Sequence, residues 1–130
     1  MESMFQLYVE ESGKAVEFYL KAFDAKLIGD IHWQPEHEGV PKHTIIIHAE
    51  LDVFGQIISI SDVDFGIADP TVFGSNYQIC FHGLERDRID KIYEVLKEDA
   101  ISASPPGDAG YSEYCLGITD KYGVHWCIFE

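Results

Sequence analysis

An internal repeat constrains the fold of this chain more than any other feature. The segment Asp52–Asp62 (DVFGQIISISD) aligns with Asp120–Glu130 (DKYGVHWCIFE), so that an acidic residue, an aromatic residue, a glycine and an isoleucine recur in the same order. The first strand and the first helix expected in each half also share their apolar positions. A supersecondary unit that recurs in this way indicates a chain built from two copies of one module.

Each half of the chain carries the same order of elements. Apolar residues alternate in Phe5–Val9 and Tyr77–His82, which is typical of strands, and they recur at helical spacing in Lys14–Phe23 and Arg86–Glu98. The further strands that the pattern predicts are Leu27–Trp33, His43–Leu51, Gln56–Ser61, Ala100–Ser104, Tyr111–Ile118 and Val124–Phe129. The prediction is therefore an α+β fold of two tandem βαβββ modules.

Length and charge limit the classes of function. With 130 residues the chain is expected to form a single domain, 1–130, with a first module over 1–65 and a second over 76–130. Because 9 basic residues stand against 23 acidic ones, the formal charge is −14, which opposes binding to nucleic acid or to an anionic membrane surface. No run approaches the roughly 18 apolar residues that a membrane span needs.

The N-terminal residues and the cysteines favour a cytoplasmic protein. The segment Met1–Met4 lacks the basic and apolar regions of a signal peptide. Cys80, Cys115 and Cys127 are odd in number and form no Cys-x-x-Cys pair, whereas the disulfide frameworks of small secreted domains are dense and even-numbered. We expect reduced, structural thiols, with a reactive thiol as the alternative.

Strand alternation predicts which side chains point away from the helix. A four-stranded sheet with one helix leaves its second face open, and two such faces are expected to surround a shared concavity. Ile45 and Ile47 suit the helix side of their strand. Ile46, His48 and Glu50 then face the concavity. The side chains that we expect to line a ligand site are Gln6, Tyr8, His48, Glu50, Ser59, Gln78, His82, His125, Cys127 and Phe129.

Three stretches of sequence and the doubled βαβββ order resemble the vicinal oxygen chelate superfamily, which has the glyoxalase/bleomycin resistance-like fold. The stretches are AVEFYLKAF (Ala15–Phe23), HAEL (His48–Leu51) and ITDKYGVHWCIF (Ile118–Phe129). The nearest branch is the PhnB-like one, sometimes labelled a 3-demethylubiquinone methyltransferase domain, and the resemblance covers essentially the whole chain. It implies a homodimer.

Metalloenzymes of this superfamily draw their ligands from inward positions on four strands. The resemblance puts those positions on Met4, Ser59, Gln78 and Cys127. Divalent Zn, Ni, Fe or Mn prefers imidazole, carboxylate or thiolate ligands, so only Cys127 suits such an ion. We therefore expect no cofactor, with a divalent metal as the alternative.

The favoured function is a small-molecule binding protein whose cleft suits cationic or aromatic ligands, because the chain is so acidic. Aromatic residues expected on loops beside the cleft are Trp33, Phe65, Phe73, Tyr111 and Tyr114. One alternative is a divergent glyoxalase-like lyase or isomerase, or a dioxygenase, that uses His48, His82 and His125. A module that binds only other proteins is a third possibility.

Overall fold

The computed structural model describes residues 1–63 and 70–130. The candidate aromatic Phe65 therefore lies outside the described residues. The chain divides into two compact units, Met1–Val72 and Phe73–Glu130, which are considered one at a time below. No helix in the described parts of the chain is long and apolar enough to cross a membrane.

The first unit is one mixed sheet with one helix. Its elements are β1 (Met4–Val9), α1 (Ser12–Phe23), β2 (Lys26–Trp33), β3 (Ile46–Val53) and β4 (Gln56–Asp62). The strand order across the sheet is β1-β4-β3-β2. Strand β1 runs parallel to β4, whereas β3 is antiparallel to both of its neighbours.

The second unit repeats this topology. Its elements are β5 (Ile79–His82), α2 (Arg86–Leu96), β6 (Ser102–Ala103), β7 (Cys115–Thr119) and β8 (His125–Phe129). The strand order is β5-β8-β7-β6, and β5 is parallel to β8. The predicted α+β fold of two βαβββ modules is confirmed, although β5, β6 and β7 are shorter than the sequence pattern suggested.

Each helix covers one face of its own sheet. Helix α1 packs on β1, β3 and β4, and α2 packs on β7. The buried apolar and aromatic side chains of α1 are Ala15, Val16, Phe18, Tyr19, Ala22 and Phe23, and those of α2 are Ile89, Ile92 and Leu96. Since burial of one large apolar side chain stabilises a fold by about 1.5–3 kcal/mol, these faces supply much of the driving force for folding.

The alternation in β3 is broken where that strand begins, so the prediction for Ile46 is wrong. Ile46 is fully buried and its N–H donates to Ser12 Oγ of α1 at 2.9 Å, whereas Ile47 is 39 % exposed. The ladder between β2 and β3 is irregular between Ile28 and Trp33. Such irregularities shift which residues share a face, and from Ala49 onward the expected alternation resumes.

The Asp-x-x-Gly-x-x-Trp pattern between β7 and β8 has a clear structural role. Asp120 is completely buried. Its Oδ1 accepts hydrogen bonds from the N–H groups of Tyr122 (2.8 Å) and Val124 (3.1 Å), and its Oδ2 accepts one from Trp126 Nε1 (2.8 Å). The carboxylate thus ties the hairpin loop to the core tryptophan. Gly123 takes a positive φ of 83° within this loop.

Candidate functional site

A chain of hydrogen bonds joins four predicted site residues on the open face of the first sheet. Ser59 on β4 lies beside Gln6 on β1, and its Oγ is 2.7 Å from Gln6 Oε1 and 3.2 Å from His48 Nδ1. His48 Nε2 is in turn 2.8 Å from Glu50 Oε2. Ser59 is fully buried, and the His48 and Glu50 side chains are 35 % and 29 % exposed. This row of hydrogen-bonded side chains, from Gln6 through Ser59 and His48 to Glu50, therefore ends at a carboxylate that solvent can reach.

The orientation of the Gln6 amide is set by its own strand. Gln6 Nε2 donates to the Leu7 carbonyl oxygen at 3.2 Å and to Ser61 Oγ at 2.9 Å. A flipped amide would place an oxygen against that carbonyl, so Oε1 must be the atom that faces Ser59. Oε1 is an acceptor, and the single hydroxyl proton of Ser59 is therefore donated to Gln6.

The direction of the Ser59 hydroxyl bond limits what Ser59 can do toward His48. Because the Ser59 proton is donated to Gln6, Ser59 Oγ can accept a hydrogen bond from His48 Nδ1. His48 Nε2 lies within hydrogen-bond distance of Glu50 Oε2, and the tautomer of the ring sets which of its nitrogens donates. The imidazole is thus held between a buried serine and a carboxylate.

Tyr8 follows Gln6 on the same face of β1. It is half-buried and aligns with Ser61 of β4, which is buried. The predicted inward residues of this sheet, Gln6, Tyr8, His48, Glu50 and Ser59, thus share one face.

In the second unit, a cavity of about 330 Å³ lies on the open face of the sheet. Its lining includes Gln78, Asp108, Tyr111, Cys115 and Cys127. Tyr111 Oη lies 3.3 Å from Cys127 Sγ and 3.5 Å from Cys115 Sγ. These hydrogen bonds, first the one to Cys115 and then the one to Cys127, raise the pKa of the Tyr111 phenol above its usual range. Burial raises the pKa of the Cys115 thiol.

A second cavity of about 450 Å³ lies beside the first and is lined by Gln78, Tyr77 and His125 among others. His125 Nε2 lies 2.7 Å from the carbonyl oxygen of Gly74, so it carries the ring hydrogen. Nδ1 is 2.7 Å from Thr119 Oγ1 and can accept the hydroxyl proton. Tyr77 meets the His125 ring edge-on with centroids 5.1 Å apart, and burial raises the Tyr77 pKa.

His82 and His125 do not converge in this unit. His82 pairs with Phe129 across β5 and β8, and their rings stack with centroids 5.5 Å apart. His125 lies four residues before Phe129 on β8, which corresponds to roughly 13 Å along a strand. Ligands of one metal ion lie a few ångströms apart, so these two imidazoles do not form the alternative ligand set.

Within residues 1–63 and 70–130, no group of three or more His, Cys, Asp or Glu side chains is arranged to hold a metal ion.

The four metal-ligand positions that the superfamily implies do not fit a divalent metal. In the first unit they offer the thioether of Met4, which is 45 % exposed, and the hydroxyl of Ser59, which is engaged by Gln6 and His48. In the second they offer the amide of Gln78 and the thiol of Cys127. Zn²⁺ and related ions bind imidazole, carboxylate and thiolate far better than such donors.

Cys115 lines the cavity, although it was not among the predicted site residues. Its neighbours Leu116 and Ile118 are buried on the helix side of β7, so alternation places Cys115 on the open face. That signal was available in the sequence. Of the predicted loop aromatics, Tyr111 reaches the cavity, whereas Tyr114 packs against Arg86 and donates to Asp90 of α2.

Two βαβββ modules with open sheet faces, together with similarity to solved structures, define the class: the chain has the fold of the vicinal oxygen chelate superfamily. Residues 2–129 match the model of the family described as 3-demethylubiquinone-9 3-methyltransferase, and the chain belongs to that family. No significant match was found among curated proteins.

Three of the solved structures with a similar fold are all distant in sequence. The PhnB protein of Bacillus cereus is 20 % identical with a TM-score of 0.77, over 99 % of this chain and 98 % of that one. A structure described as a possible glyoxalase from Bacillus cereus is 20 % identical (TM-score 0.61), over 100 % and 98 %. The fosfomycin resistance protein FosX of Listeria monocytogenes is 15 % identical (TM-score 0.66), over 99 % and 91 %.

Proposed function

We propose that this protein binds small cationic, aromatic molecules on the open faces of its sheets, without the metal-ligand set of its superfamily. The observation that carries the proposal is the row from Gln6 to Glu50. It presents a polar, hydrogen-bonded surface that includes Ser59, one of the four positions where the resemblance puts the metal ligands of the superfamily.

The charge of the site and of the chain supports a cationic ligand. Glu50 is half-buried, and a carboxylate accepts several hydrogen bonds, of which His48 takes one. The formal charge of −14 adds a long-range attraction for cations and repels anions such as phosphonates.

The cavities of the second unit support an aromatic ligand. Their volumes of about 330 and 450 Å³ are at the lower end of the range for small-molecule sites. Tyr77 and Tyr111 line them, and Phe129 lies edge-on to Tyr111 with centroids 5.2 Å apart. Rings in these positions can stack on a flat ligand.

We further propose that the protein is a cytoplasmic homodimer in which a second copy helps to enclose the open faces. Exposed apolar side chains such as Met4, Ile47 and Tyr77 on these strands or beside them would be covered by such a partner. Light scattering should give twice the chain mass of 14.7 kDa, and a value near 14.7 kDa would contradict the dimer.

Thermal-shift and calorimetric titrations test the ligand class. The compounds are matched pairs that share one aromatic ring system and differ in a cationic group. We expect the cationic member to bind and the neutral or anionic member to bind more weakly. Glu50→Gln should weaken cation binding about fivefold, as expected for loss of about 1 kcal/mol of charge interaction.

The matched control is Glu17→Gln, which removes the same charge from an exposed site on α1. It should leave binding unchanged. Equal effects of the two variants would mean that only net charge matters, and a panel without any binding would refute the proposal.

Metal analysis separates this proposal from a divergent metalloenzyme. About one Zn, Ni, Mn or Fe per chain that disappears in His48→Ala or His125→Ala would favour the enzyme. Methyl transfer, which the family description names, has less support, because no glycine-rich nucleotide motif follows the first strand.

A further inference from the structure

Two thiols and a phenol converge on the open face of the second unit. Cys115 on β7 and Cys127 on β8 are diagonal neighbours, because Cys127 pairs with Gly117 and Cys115 pairs with Phe129. Their Sγ atoms lie 3.7 Å apart and form no disulfide. Tyr111 Oη lies 3.5 Å from Cys115 Sγ and 3.3 Å from Cys127 Sγ. Three potential metal donors thus form a small triangle.

This triangle matches one face of a tetrahedral coordination sphere. With Zn–S bonds of about 2.3 Å, two thiolates on one ion lie about 3.8 Å apart. A phenolate oxygen at about 2.0 Å from the same ion lies about 3.5 Å from each sulfur. The observed separations of 3.7, 3.5 and 3.3 Å differ from these values by about 0.2 Å at most.

We propose that Cys115, Cys127 and Tyr111 form a binding site for a soft divalent cation such as Zn²⁺ or Cd²⁺. The site shares only Cys127 with the ligand positions that the superfamily implies. It opens to the 330 Å³ cavity, so an ion has a path of entry and a fourth position open to the cavity. The carboxylate of Asp108 in the cavity wall favours a positive charge there.

The third thiol, that of Cys80, lies next to the proposed metal site but is not one of its ligands. It pairs with Cys127 across β5 and β8, but its Sγ lies 4.0 Å from the carbonyl oxygen of Gln78. The metal site goes beyond the proposed ligand-binding function because it requires thiolates, although it opens to the same 330 Å³ cavity in which we propose that Tyr111 contacts an aromatic ligand.

Metal titration of the full chain tests the site. Metal-free protein, kept reduced with a phosphine, is titrated with Zn²⁺ against a chromophoric chelator and with Cd²⁺ while sulfur-to-metal charge-transfer absorption is followed. We expect one ion per chain. Cys115→Ser and Cys127→Ser should each lose the absorption band and about a hundredfold in affinity, and Tyr111→Phe about tenfold.

The matched control is His82→Phe, which keeps a ring stacked on Phe129 and removes the imidazole nitrogens. It should bind metal as the parent does. Failure of the parent to bind one ion would overturn the proposal, since the triangle would then be a packing contact only. If Cys80→Ser lost as much metal affinity as Cys115→Ser and Cys127→Ser, the proposal would also be overturned. Thiols would then bind the ion without the arrangement of Cys115, Cys127 and Tyr111. If a serine variant does not fold, an unchanged affinity in Tyr111→Phe refutes the site.

Discussion

Replacement of Asp120 by asparagine should destabilise the second unit severely, although the change is nearly isosteric. The buried carboxylate accepts three hydrogen bonds, from the N–H groups of Tyr122 and Val124 and from the indole of Trp126. Asparagine offers one oxygen and one NH₂ group. Whichever way the amide is turned, its NH₂ group replaces one of the carboxylate oxygens and faces at least one of these N–H donors, which then has no acceptor.

The magnitude follows from the groups left without a partner. A hydrogen bond to a charged acceptor contributes about 1.5–3 kcal/mol, and a buried unsatisfied donor costs about 1–3 kcal/mol. Loss of the buried charge offsets part of this cost. We expect Asp120→Asn to lower the free energy of unfolding by about 3 kcal/mol, a large share of the roughly 5–15 kcal/mol typical of a domain.

A double-mutant cycle with Trp126→Phe isolates the indole hydrogen bond. Phenylalanine retains most of the packing and removes the donor, so the introduced amide no longer opposes an indole N–H in the double variant. The sum of the two decreases in unfolding free energy that the single variants show should therefore exceed the decrease in the double variant by about 1–2 kcal/mol. Urea unfolding followed by circular dichroism gives all four free energies. Additivity within about 0.5 kcal/mol would refute this account of the motif.

Two further predictions concern a turn and an ion pair. Gly55→Ala should lower the free energy of unfolding, measured with urea, by about 1 kcal/mol, because Gly55 has a φ of 86° that alanine adopts only with strain. The control Gly107→Ala should change this free energy very little, because Gly107 does not have a positive φ and a Cβ there would meet no atom within 4 Å. Arg86 donates two hydrogen bonds to Glu130 (2.9 and 2.8 Å), which lower the pKa of that carboxyl in the folded state. At intermediate pH the folded protein therefore holds fewer protons on Glu130 than the unfolded chain does. The contribution of this ion pair to stability is fully present above the pKa of the carboxyl in the unfolded chain, and it is lost as the pH falls through the lower pKa of the folded state. Glu130→Gln should flatten the rise of the urea midpoint with pH between about pH 3 and pH 6, and an unchanged slope would contradict the assignment.

The order of the elements could be read from the sequence because it depends on local periodicity. Alternation along a strand and helical spacing along α1 and α2 are properties of neighbouring residues, and the repeat of Asp52–Asp62 in Asp120–Glu130 shows that they occur twice. The same alternation correctly grouped Gln6, Ser59 and His48 on one face.

Contacts that depend on how strands align could not be read in this way. The sequence by itself determined two βαβββ modules and the side of most strands that faces a helix. Only the tertiary structure decided that Ile46 is buried, that Cys115 meets Cys127, and that His82 and His125 lie apart. The physical reason is that register and bulges are set by pairing between distant segments, and a shift of one residue moves a side chain to the opposite face.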